Sequence, residues 1–216
     1  MANILGGRGS LFDQFLGELR NVEVQNDRMR FRRNLERIGE LMAYEISKEM
    51  QWNPGTLTTP LGEAELPVLE EPPVVATILR AGLPLHQGVL NYFDHADNCF
   101  ISAYRMNHKE DGSFDIKIEY LSSPSIEGRT VILCDPMLAT GGSMVLAYKA
   151  MLKRGNPKHV HVVAAISSRE GLEYCERHLP RNCTIWIAGL DEELTAQAYI
   201  VPGLGDAGDL AFGGKE

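Results

Sequence analysis

Hydrophobic residues recur every three or four positions between Arg28 and Met50, as they do on one face of an amphipathic helix. The apolar stripe consists of Phe31, Leu35, Ile38, Met42, Ile46 and Met50. The first 27 residues are mixed, with short apolar groups and several glycines. Five prolines follow the helix in segment 51–73, which predicts a loop-rich connection with room for a short hairpin.

Beyond Pro73, short apolar runs alternate with stretches of helical periodicity. The predicted strands are Val74–Leu79, Asn98–Tyr104, Phe114–Tyr120, Thr130–Cys134, Lys158–Ile166 and Thr184–Ala188. The predicted helices between them are Pro84–Phe93, Ser143–Arg154 and Arg169–His178. Strands that alternate with helices predict an α/β fold, with a mainly parallel central sheet flanked by helices.

Composition narrows the class of protein. The chain has 216 residues, of which 44% are hydrophobic and 23% charged, and this suits one domain of ordinary size. The formal charge is -8, so a globally basic nucleic-acid-binding protein is disfavoured, although a local basic patch is not. Such a patch crowds the start of the first predicted helix, as Arg28, Arg30, Arg32, Arg33 and Arg37. Its alternatives are a solvated or subunit-facing helix face and a site for phosphate or nucleic acid.

The sequence contains neither a membrane span nor a convincing signal peptide, because no apolar run approaches about 18 residues. The four cysteines lack a C-x-x-C pair, so we expect thiols in the core rather than zinc ligands or disulfides. They are Cys99, Cys134, Cys175 and Cys183. His159 and His161 share one face of a strand, without an evident third metal ligand. A cytoplasmic protein is therefore expected.

The most informative loop follows the predicted strand Thr130–Cys134 and has the sequence CDPMLATGGSM. It begins with an acid, Asp135, and ends with Thr140, two glycines and Ser143 before a helix. Glycines let backbone N–H groups close around an anion, and a helix N-terminus favours negative charge, so this loop can cradle a phosphate. Alternatively, Thr140 or Ser143 only caps the helix. A Walker A loop is excluded, because no lysine precedes Ser143.

Two further loops follow predicted strands, at the edge where parallel sheets bind ligands. Arg80 and Gly82 come directly after Val74–Leu79, and the late stretch 200–209 is rich in glycine. Taken alone, Arg80 is more often a surface cation, and Asp206 is more often a turn-forming residue. Arg105 follows another predicted strand, where an ordinary loop arginine is nearly as well explained.

Three segments together resemble the type I phosphoribosyltransferases, in the form found in the uracil phosphoribosyltransferase family. They are ILRAGLPLHQGVL at 78–90, VILCDPMLATGGS at 131–143 and AYIVPGLGDAGD at 198–209. Most members of the wider fold carry two adjacent acids at the strand end, whereas the uracil enzymes share Asp135-Pro136. The resemblance implies a single domain, 1–216, with N-terminal helical and hood elements (1–73), a core (74–190) and a uracil-binding segment (191–216).

The resemblance also implies the site residues. The substrate phosphoribosyl diphosphate (PRPP) would be bound by Arg80, Arg105, Asp135, Pro136, Met137, Leu138, Ala139, Thr140, Gly141, Gly142, Ser143 and Asp206. Within this set, Asp135 would contact the ribose hydroxyls, residues 139–143 the 5-phosphate, and Arg80 the pyrophosphate. Uracil would be bound by Ile200, Gly205, Asp206 and Ala207. The catalytic residues would be Arg80, Arg105 and Asp206, with Mg²⁺ held mainly through PRPP and without a direct protein ligand.

The reaction that the resemblance implies is the transfer of a phosphoribosyl group from PRPP to uracil, which yields UMP and pyrophosphate. It further implies a homodimer or a higher homo-oligomer and a GTP effector, with neither a membrane nor a nucleic acid as partner. The alternative is a nucleotide-sensing regulatory protein of the same fold that binds RNA through the Arg28–Arg37 cluster. A purine or orotate enzyme is disfavoured by the single acid at Asp135.

Overall fold

The computed structural model describes residues 2–105 and 116–214. The helices are α1 (Leu11–Arg20), α2 (Arg28–Ser47), α3 (Leu83–Leu90), α4 (Gly142–Met151), α5 (Arg169–His178) and α6 (Ala207–Phe212), with a 3₁₀ turn at Leu152–Arg154. The strands are β1 (Ala2–Ile4), β2 (Trp52–Thr59), β3 (Gly62–Leu69), β4 (Val74–Leu79), β5 (Asp97–Arg105), β6 (Ile116–Ser122), β7 (Thr130–Cys134), β8 (Met137–Leu138), β9 (His159–Ser168), β10 (Cys183–Asp191), β11 (Glu193–Leu194) and β12 (Ile200–Val201).

Eight strands form the central sheet, in the order β1-β10-β9-β7-β4-β5-β6, with β8 added alongside β9. The pairs are parallel except for β5 and β6, which run antiparallel. Strands β4 and β7 consist mostly of buried apolar residues, as strands covered on both faces do. The predicted α/β fold with a mainly parallel sheet is confirmed.

Helices cover both faces of this sheet and bury two apolar cores. Helices α1, α2, α3 and α6 pack on one face, and α4 and α5 pack on the other. Five residues of the predicted α2 stripe are at most 1% exposed, namely Phe31, Leu35, Ile38, Met42 and Ile46. Full burial of such a side chain contributes about 1.5–3 kcal/mol, so this stripe fixes α2 against the sheet.

Two elements lie in the first 27 residues, for which the periodicity predicted no particular helix or strand. Helix α1 buries Phe12, Leu16 and Leu19, and Ser10 with Asp13 forms a capping box at its start. This capping box is a helix signal that the sequence carries and that the pattern analysis missed. Strand β1 is only three residues long and pairs with the edge of β10, so it shows no readable period.

The other predicted elements occur within a few residues of their predicted bounds. Segment 51–73 holds a longer hairpin than expected, because β2 and β3 each span eight residues and pair antiparallel. The strand predicted at Phe114–Tyr120 corresponds to β6, and its first two residues lie outside the described part of the chain. None of the described helices is long and apolar enough to span a bilayer.

All four cysteines are free, and Cys99, Cys134 and Cys175 are buried, while Cys183 is partly exposed. Burial raises the pKa of Cys175 and of Cys183 to about 12. Because the thiolate is the reactive form, both side chains behave as inert thiols at neutral pH.

His159 and His161 of β9 have a structural role. The rings of His159 and His161 lie 4.5 Å apart between centroids, and His161 is 2% exposed. Its Nδ1 accepts a hydrogen bond from the Trp186 indole N–H at 3.1 Å. Burial and the neighbouring His159 lower the pKa of His161 to about 3, so the ring is neutral at pH 7. Within residues 2–105 and 116–214, no group of side chains could hold a metal ion by itself.

We predict that the stability of the protein falls as the pH drops from about 6.5 towards 3, the interval between the ordinary and the folded-state pKa of His161. Over this range the unfolded chain binds a proton at His161 and the folded chain does not, so the free energy of unfolding decreases by roughly 1 kcal/mol per pH unit. His161→Gln keeps an acceptor for Trp186 but does not titrate. The free energy of unfolding, measured with urea between pH 4 and 7, should depend less steeply on pH in this variant. An equal dependence on pH in both proteins would contradict the assignment to His161.

Candidate functional site

A cleft of about 480 Å³ opens at the carboxyl ends of β4 and β7. Ligands of open parallel sheets bind at this edge, because the loops that connect strands to helices meet there. The residues that line the cleft are Ile78, Leu79, Arg80, Ala81, Ala103, Asp135, Pro136, Met137, Ala139, Ser143, Ala198, Tyr199, Asp206, Ala207 and Gly208. The three loops that the sequence singled out therefore surround one cavity.

The loop between β7 and α4 forms one side of the cleft. Asp135 directly follows β7, and its backbone N–H donates to the carbonyl of Val163 at 3.1 Å. Strand β8 then runs beside β9 before the chain turns into α4. This path carries the loop from the middle of the sheet to the start of a helix, as a phosphate cradle requires.

The start of α4 bears on the two interpretations of this loop. The N-cap position is Gly141, with a φ of +75° that favours glycine, and the Thr140 hydroxyl accepts from the N–H of Gly142 at 3.4 Å. Thr140 and Ser143 are therefore not its N-cap residues. The first turn of any helix has backbone N–H groups that the helix itself cannot satisfy, and these groups suit an anion.

Arg80 follows β4 directly, and its side chain is 40% exposed. Its Nη2 donates to the carbonyl of Gly213 at 3.2 Å and lies 3.5 Å from Oδ1 of Asp209. A Cβ at Gly82 would overlap the Thr77 hydroxyl. Because glycine has no Cβ, the chain can turn sharply behind Arg80. These contacts place the guanidinium on the lining of the cleft, where an anion can reach it.

The late glycine-rich stretch contributes Asp206 and Ala207 to the cleft. Asp206 is the N-cap residue of α6, and its Oδ1 accepts from the N–H of Asp209 at 3.0 Å. The turn-forming role that the residue type suggests is therefore present, and the same carboxylate also lines the cavity. Ile200 is buried beneath this segment at 5% exposure, and Gly205 has a φ of +92°.

An ion pair that the sequence analysis missed anchors this stretch. Arg20 binds Asp191 through Nη1 and Nη2 of its guanidinium, at 2.8 and 2.9 Å, and Asp191 is only 7% exposed. Arg20 also donates to the carbonyl of Gly203 at 3.0 Å, while the Gly203 N–H donates to Asp191 at 3.2 Å. Bidentate charge-assisted bonds of this kind are strong and directional, so they fix the chain just before Asp206. The sequence signal that could have revealed this ion pair is the acidic residue Asp191 at the end of the apolar strand β10.

The structure brings most of the predicted site residues together. Those that line the cleft are Arg80, Asp135, Pro136, Met137, Ala139, Ser143, Asp206 and Ala207. Those that belong to the same loops without lining the cleft are Leu138, Thr140, Gly141, Gly142, Ile200 and Gly205. The backbone of Arg105 ends β5, but its side chain and residues 106–115 lie outside the described part of the chain. Tyr199, which is not among the predicted site residues, also lines the cleft and is 46% exposed.

The arginine cluster of α2 pairs with groups inside the chain. Arg30 binds Glu18 at 2.8 Å, and this pairing, with Asn34, lowers the pKa of Glu18 to about 2. Further pairs join Arg33 to Glu36 at 2.6 Å, Arg32 to the Ala211 carbonyl at 2.7 Å, and Arg37 to Asn34 at 3.1 Å. Glu18, Glu36 and Glu40 therefore offset the charge of Arg30 and Arg33, while Arg32 and Arg37 are held by neutral oxygen acceptors.

Comparisons with known proteins agree with this architecture. The solved hypoxanthine phosphoribosyltransferase of Staphylococcus aureus matches with a TM-score of 0.51 at 14% identity, over 87% of this chain and 84% of that chain. A solved Aquifex aeolicus protein, AQ2163, matches with a TM-score of 0.87 at 30% identity, over 99% of this chain and 98% of that chain. The fold is that of the type I phosphoribosyltransferases.

Sequence comparisons place the chain more narrowly. The uracil phosphoribosyltransferase of Porphyromonas gingivalis is 57% identical over 211 residues, which are 98% of this chain and 97% of that protein. The uracil phosphoribosyltransferase of Methanothermobacter thermautotrophicus is 39% identical over 185 residues, 85% of this chain and 83% of that protein. The profile of the uracil phosphoribosyltransferase family matches residues 10–214. The chain belongs to the uracil phosphoribosyltransferase family.

We predict that Asp191→Ala destabilises the protein by about 3 kcal/mol, because it leaves the guanidinium of Arg20, which is only 23% exposed, without its carboxylate partner. The adjacent Glu192 provides a matched control, since it forms a similar pair with Arg169 in which the side chains are 65% and 51% exposed. Glu192→Ala should cost less than about 1 kcal/mol. Urea unfolding measures both variants, and equal losses would contradict the anchoring role of Asp191.

Proposed function

We propose that this protein transfers the phosphoribosyl group of PRPP to uracil, giving UMP and pyrophosphate. One observation carries the proposal: in a member of this family, the 135–143 loop, Arg80 and Asp206 surround a single cleft. The relatives from Porphyromonas gingivalis and Methanothermobacter thermautotrophicus bear the name of this activity. The alternative of an RNA-binding regulator has no comparable support, because Arg30, Arg32 and Arg33 of α2 are bound to groups within the chain.

In this proposal PRPP lies along the loop between β7 and α4. The Asp135 carboxylate accepts hydrogen bonds from the ribose hydroxyls, and backbone N–H groups of residues 139–143 bind the 5-phosphate. Residues 136–138 connect the acid to this cradle. Arg80 binds the pyrophosphate from the neighbouring loop, and Arg105 is assigned to the same phosphates. The exposure of the Arg80 guanidinium at the cleft supports its part in this arrangement.

Uracil is assigned to the stretch from Ile200 to Ala207, opposite the phosphate loop. Backbone groups of Ile200, Gly205 and Ala207 pair with the edge of the base, and Asp206 lies between base and PRPP. Backbone N–H and C=O groups suit this base because the hydrogen-bond donors and acceptors of a pyrimidine lie in one fixed pattern along its edge. A base with another pattern would leave buried groups unpaired, and such a mismatch is strongly disfavoured.

The chemistry needs no covalent nucleophile on the protein. The bond between the anomeric carbon and pyrophosphate breaks, N1 of uracil forms the new bond to that carbon, and the N1 proton is released. Positive charge builds on the sugar and negative charge on the leaving pyrophosphate. Catalysis therefore rests on holding the two substrates in line and on neutralising the leaving group with Arg80 and Arg105.

The residues at the cleft fit a magnesium ion that arrives with PRPP. Asp135 and Asp206 offer carboxylate oxygens, which are the ligands that Mg²⁺ prefers, but the described residues form no metal-binding group by themselves. The direct ligands would come mainly from the diphosphate and from water. When bound, Mg²⁺ neutralises charge on the leaving pyrophosphate. Asp206 is the residue that we assign to face it.

We also propose that the protein forms a homodimer or a higher homo-oligomer. Strands β2 and β3 form a separate two-stranded sheet, and its large apolar side chains are 45–50% exposed at Trp52, Leu57, Leu66 and Val68. An isolated hairpin is marginally stable in water, and an exposed apolar patch marks an interface. Coverage by a second copy of the chain would account for both features, and sedimentation equilibrium measures the mass.

Three finer proposals rest mainly on the family resemblance. GTP acts as an effector, which activity assays with and without GTP would measure. The protein works in the cytoplasm, in keeping with its four free cysteines. Residues 1–73, 74–190 and 191–216 act as N-terminal elements, core and uracil-binding segment of one domain. The cleft supports the assignment of 74–190 and 191–216, because its lining residues come from both of these segments.

The reaction is tested by incubating the protein with PRPP, Mg²⁺ and radiolabelled uracil, in parallel with orotate, hypoxanthine and cytosine. UMP from uracil alone is expected, because the backbone groups assigned to the base match its donor and acceptor pattern. Product from another base would overturn the substrate assignment. A folded protein that binds PRPP but makes no nucleotide would favour the regulatory alternative, which filter binding to RNA then tests.

We predict that Asp206→Asn lowers kcat on the order of a hundredfold, because it removes a charge that faces the reacting centre. The fold should be unaffected, since asparagine caps a helix as well as aspartate does. Asp27→Asn is the matched control, because Asp27 caps α2 by accepting from the N–H of Arg30. A normal kcat in Asp206→Asn, measured at saturating PRPP and uracil, would refute the role of this carboxylate.

A further inference from the structure

The loop between β7 and α4 rests on the start of α5, on the side away from the cleft. Ser168 is the N-cap residue of α5, and it is fully buried. Its hydroxyl donates to the carbonyl of Ala139 at 2.5 Å and accepts from the N–H of Gly171 at 2.8 Å. A single side chain therefore caps one helix and holds the backbone of the loop that leads into another.

Neighbouring groups of α5 and β9 hold the same loop. The Cys175 thiol donates to the carbonyl of Gly141 at 3.8 Å. The Ser167 hydroxyl lies 3.3 Å from the carbonyl of Leu138, although its shorter bond, at 2.9 Å, goes to Ser168. Of these contacts, the bond from Ser168 to Ala139 is the shortest, so we take it as the principal support.

The packing at this contact leaves no space for another side chain. A Cβ at Gly171 would overlap the carbonyl oxygens of both Leu138 and Ala139. A Cβ at Gly141 would lie 2.7 Å from the Gly171 carbonyl and 2.9 Å from the Cys175 sulfur. The loop and the helix are therefore in direct backbone contact, and the position of one determines that of the other.

The direction of these carbonyls determines the direction of the amides. In a planar trans peptide, the C=O of one residue and the N–H of the next point to opposite sides. Because the Ala139 carbonyl is turned towards α5, the N–H of Thr140 is turned away from it. The Gly141 carbonyl, by contrast, accepts from the N–H of Val145 within α4, and the Gly142 N–H donates to the Thr140 hydroxyl at 3.4 Å. Ala139 and Ser143 line the cleft on the other side of the loop. The contact between Ser168 and the Ala139 carbonyl thus sets the direction of the Thr140 amide in the phosphate cradle.

We propose that Ser168 is a positioning residue for PRPP, and that it acts by holding the Ala139 carbonyl so that the Thr140 amide of the loop faces the 5-phosphate. The proposal rests on the proposed function, because it assumes that this loop binds the 5-phosphate. Ser168 itself does not touch the substrate. Its effect belongs to PRPP binding and not to uracil binding or to the chemical step.

The test compares Ser168→Ala and Ser168→Gly with the unaltered enzyme. Both variants remove the bond to Ala139, but glycine is tolerated at an N-cap and keeps most of the stability of α5. We expect the KM for PRPP to rise about tenfold in both, as the loss of one buried hydrogen bond would cause. The KM for uracil and kcat should change less than about twofold, and Ser168→Thr should restore PRPP binding because it keeps the hydroxyl.

Ser10→Ala is the matched control, because Ser10 is the N-cap residue of α1 and lies outside the cleft lining. It should lower thermal stability without changing the KM for PRPP. An unchanged KM for PRPP in Ser168→Gly, or a loss confined to kcat, would overturn the positioning role. If the unaltered protein neither binds PRPP by calorimetry nor forms UMP, the proposed function itself fails, which separates the two results.

Discussion

Burial of the central strands on both faces is the constraint on which the rest of the structure depends. Helices cover β4 and β7 on each side, so a polar ligand cannot approach their side chains from above or below. Only the strand ends are open, and parallel strands place all their outgoing loops at the same edge. Arg80 and Asp135 come to the cleft because each directly follows such a strand.

The loops at this edge have little regular structure of their own, and buried polar side chains hold them instead. Ser168 supports the phosphate loop, while Arg20 and Asp191 together hold the stretch before Asp206. In each case the side chain binds a main-chain group that would otherwise be buried without a partner, which is costly. Ser168, Arg20 and Asp191 thus help to determine the geometry of the cleft, although none of them lines it.

The charged surface of α2 shows how tertiary contacts change the meaning of a composition pattern. Its arginines form a basic cluster in the sequence, but Glu18 comes from α1 and the Ala211 carbonyl from α6. The cluster therefore ties the N-terminal helices to the C-terminal segment, which carries part of the cleft. The exposed apolar hairpin is the opposite case, because the described chain leaves its side chains without cover.

The sequence alone determined the fold class, most strands and helices, and the three loops that meet at the cleft, because period and loop composition are local properties. It also carried the capping box of α1, although the pattern analysis overlooked it. Strand β1, the pairing of Arg20 with Asp191 and the support from Ser168 emerged only in the tertiary structure. These contacts join residues far apart in the chain, 171 positions in the case of Arg20 and Asp191, and no local period encodes such a distance. Only folding decides which backbone groups need a partner, because burial is what makes an unpaired group costly.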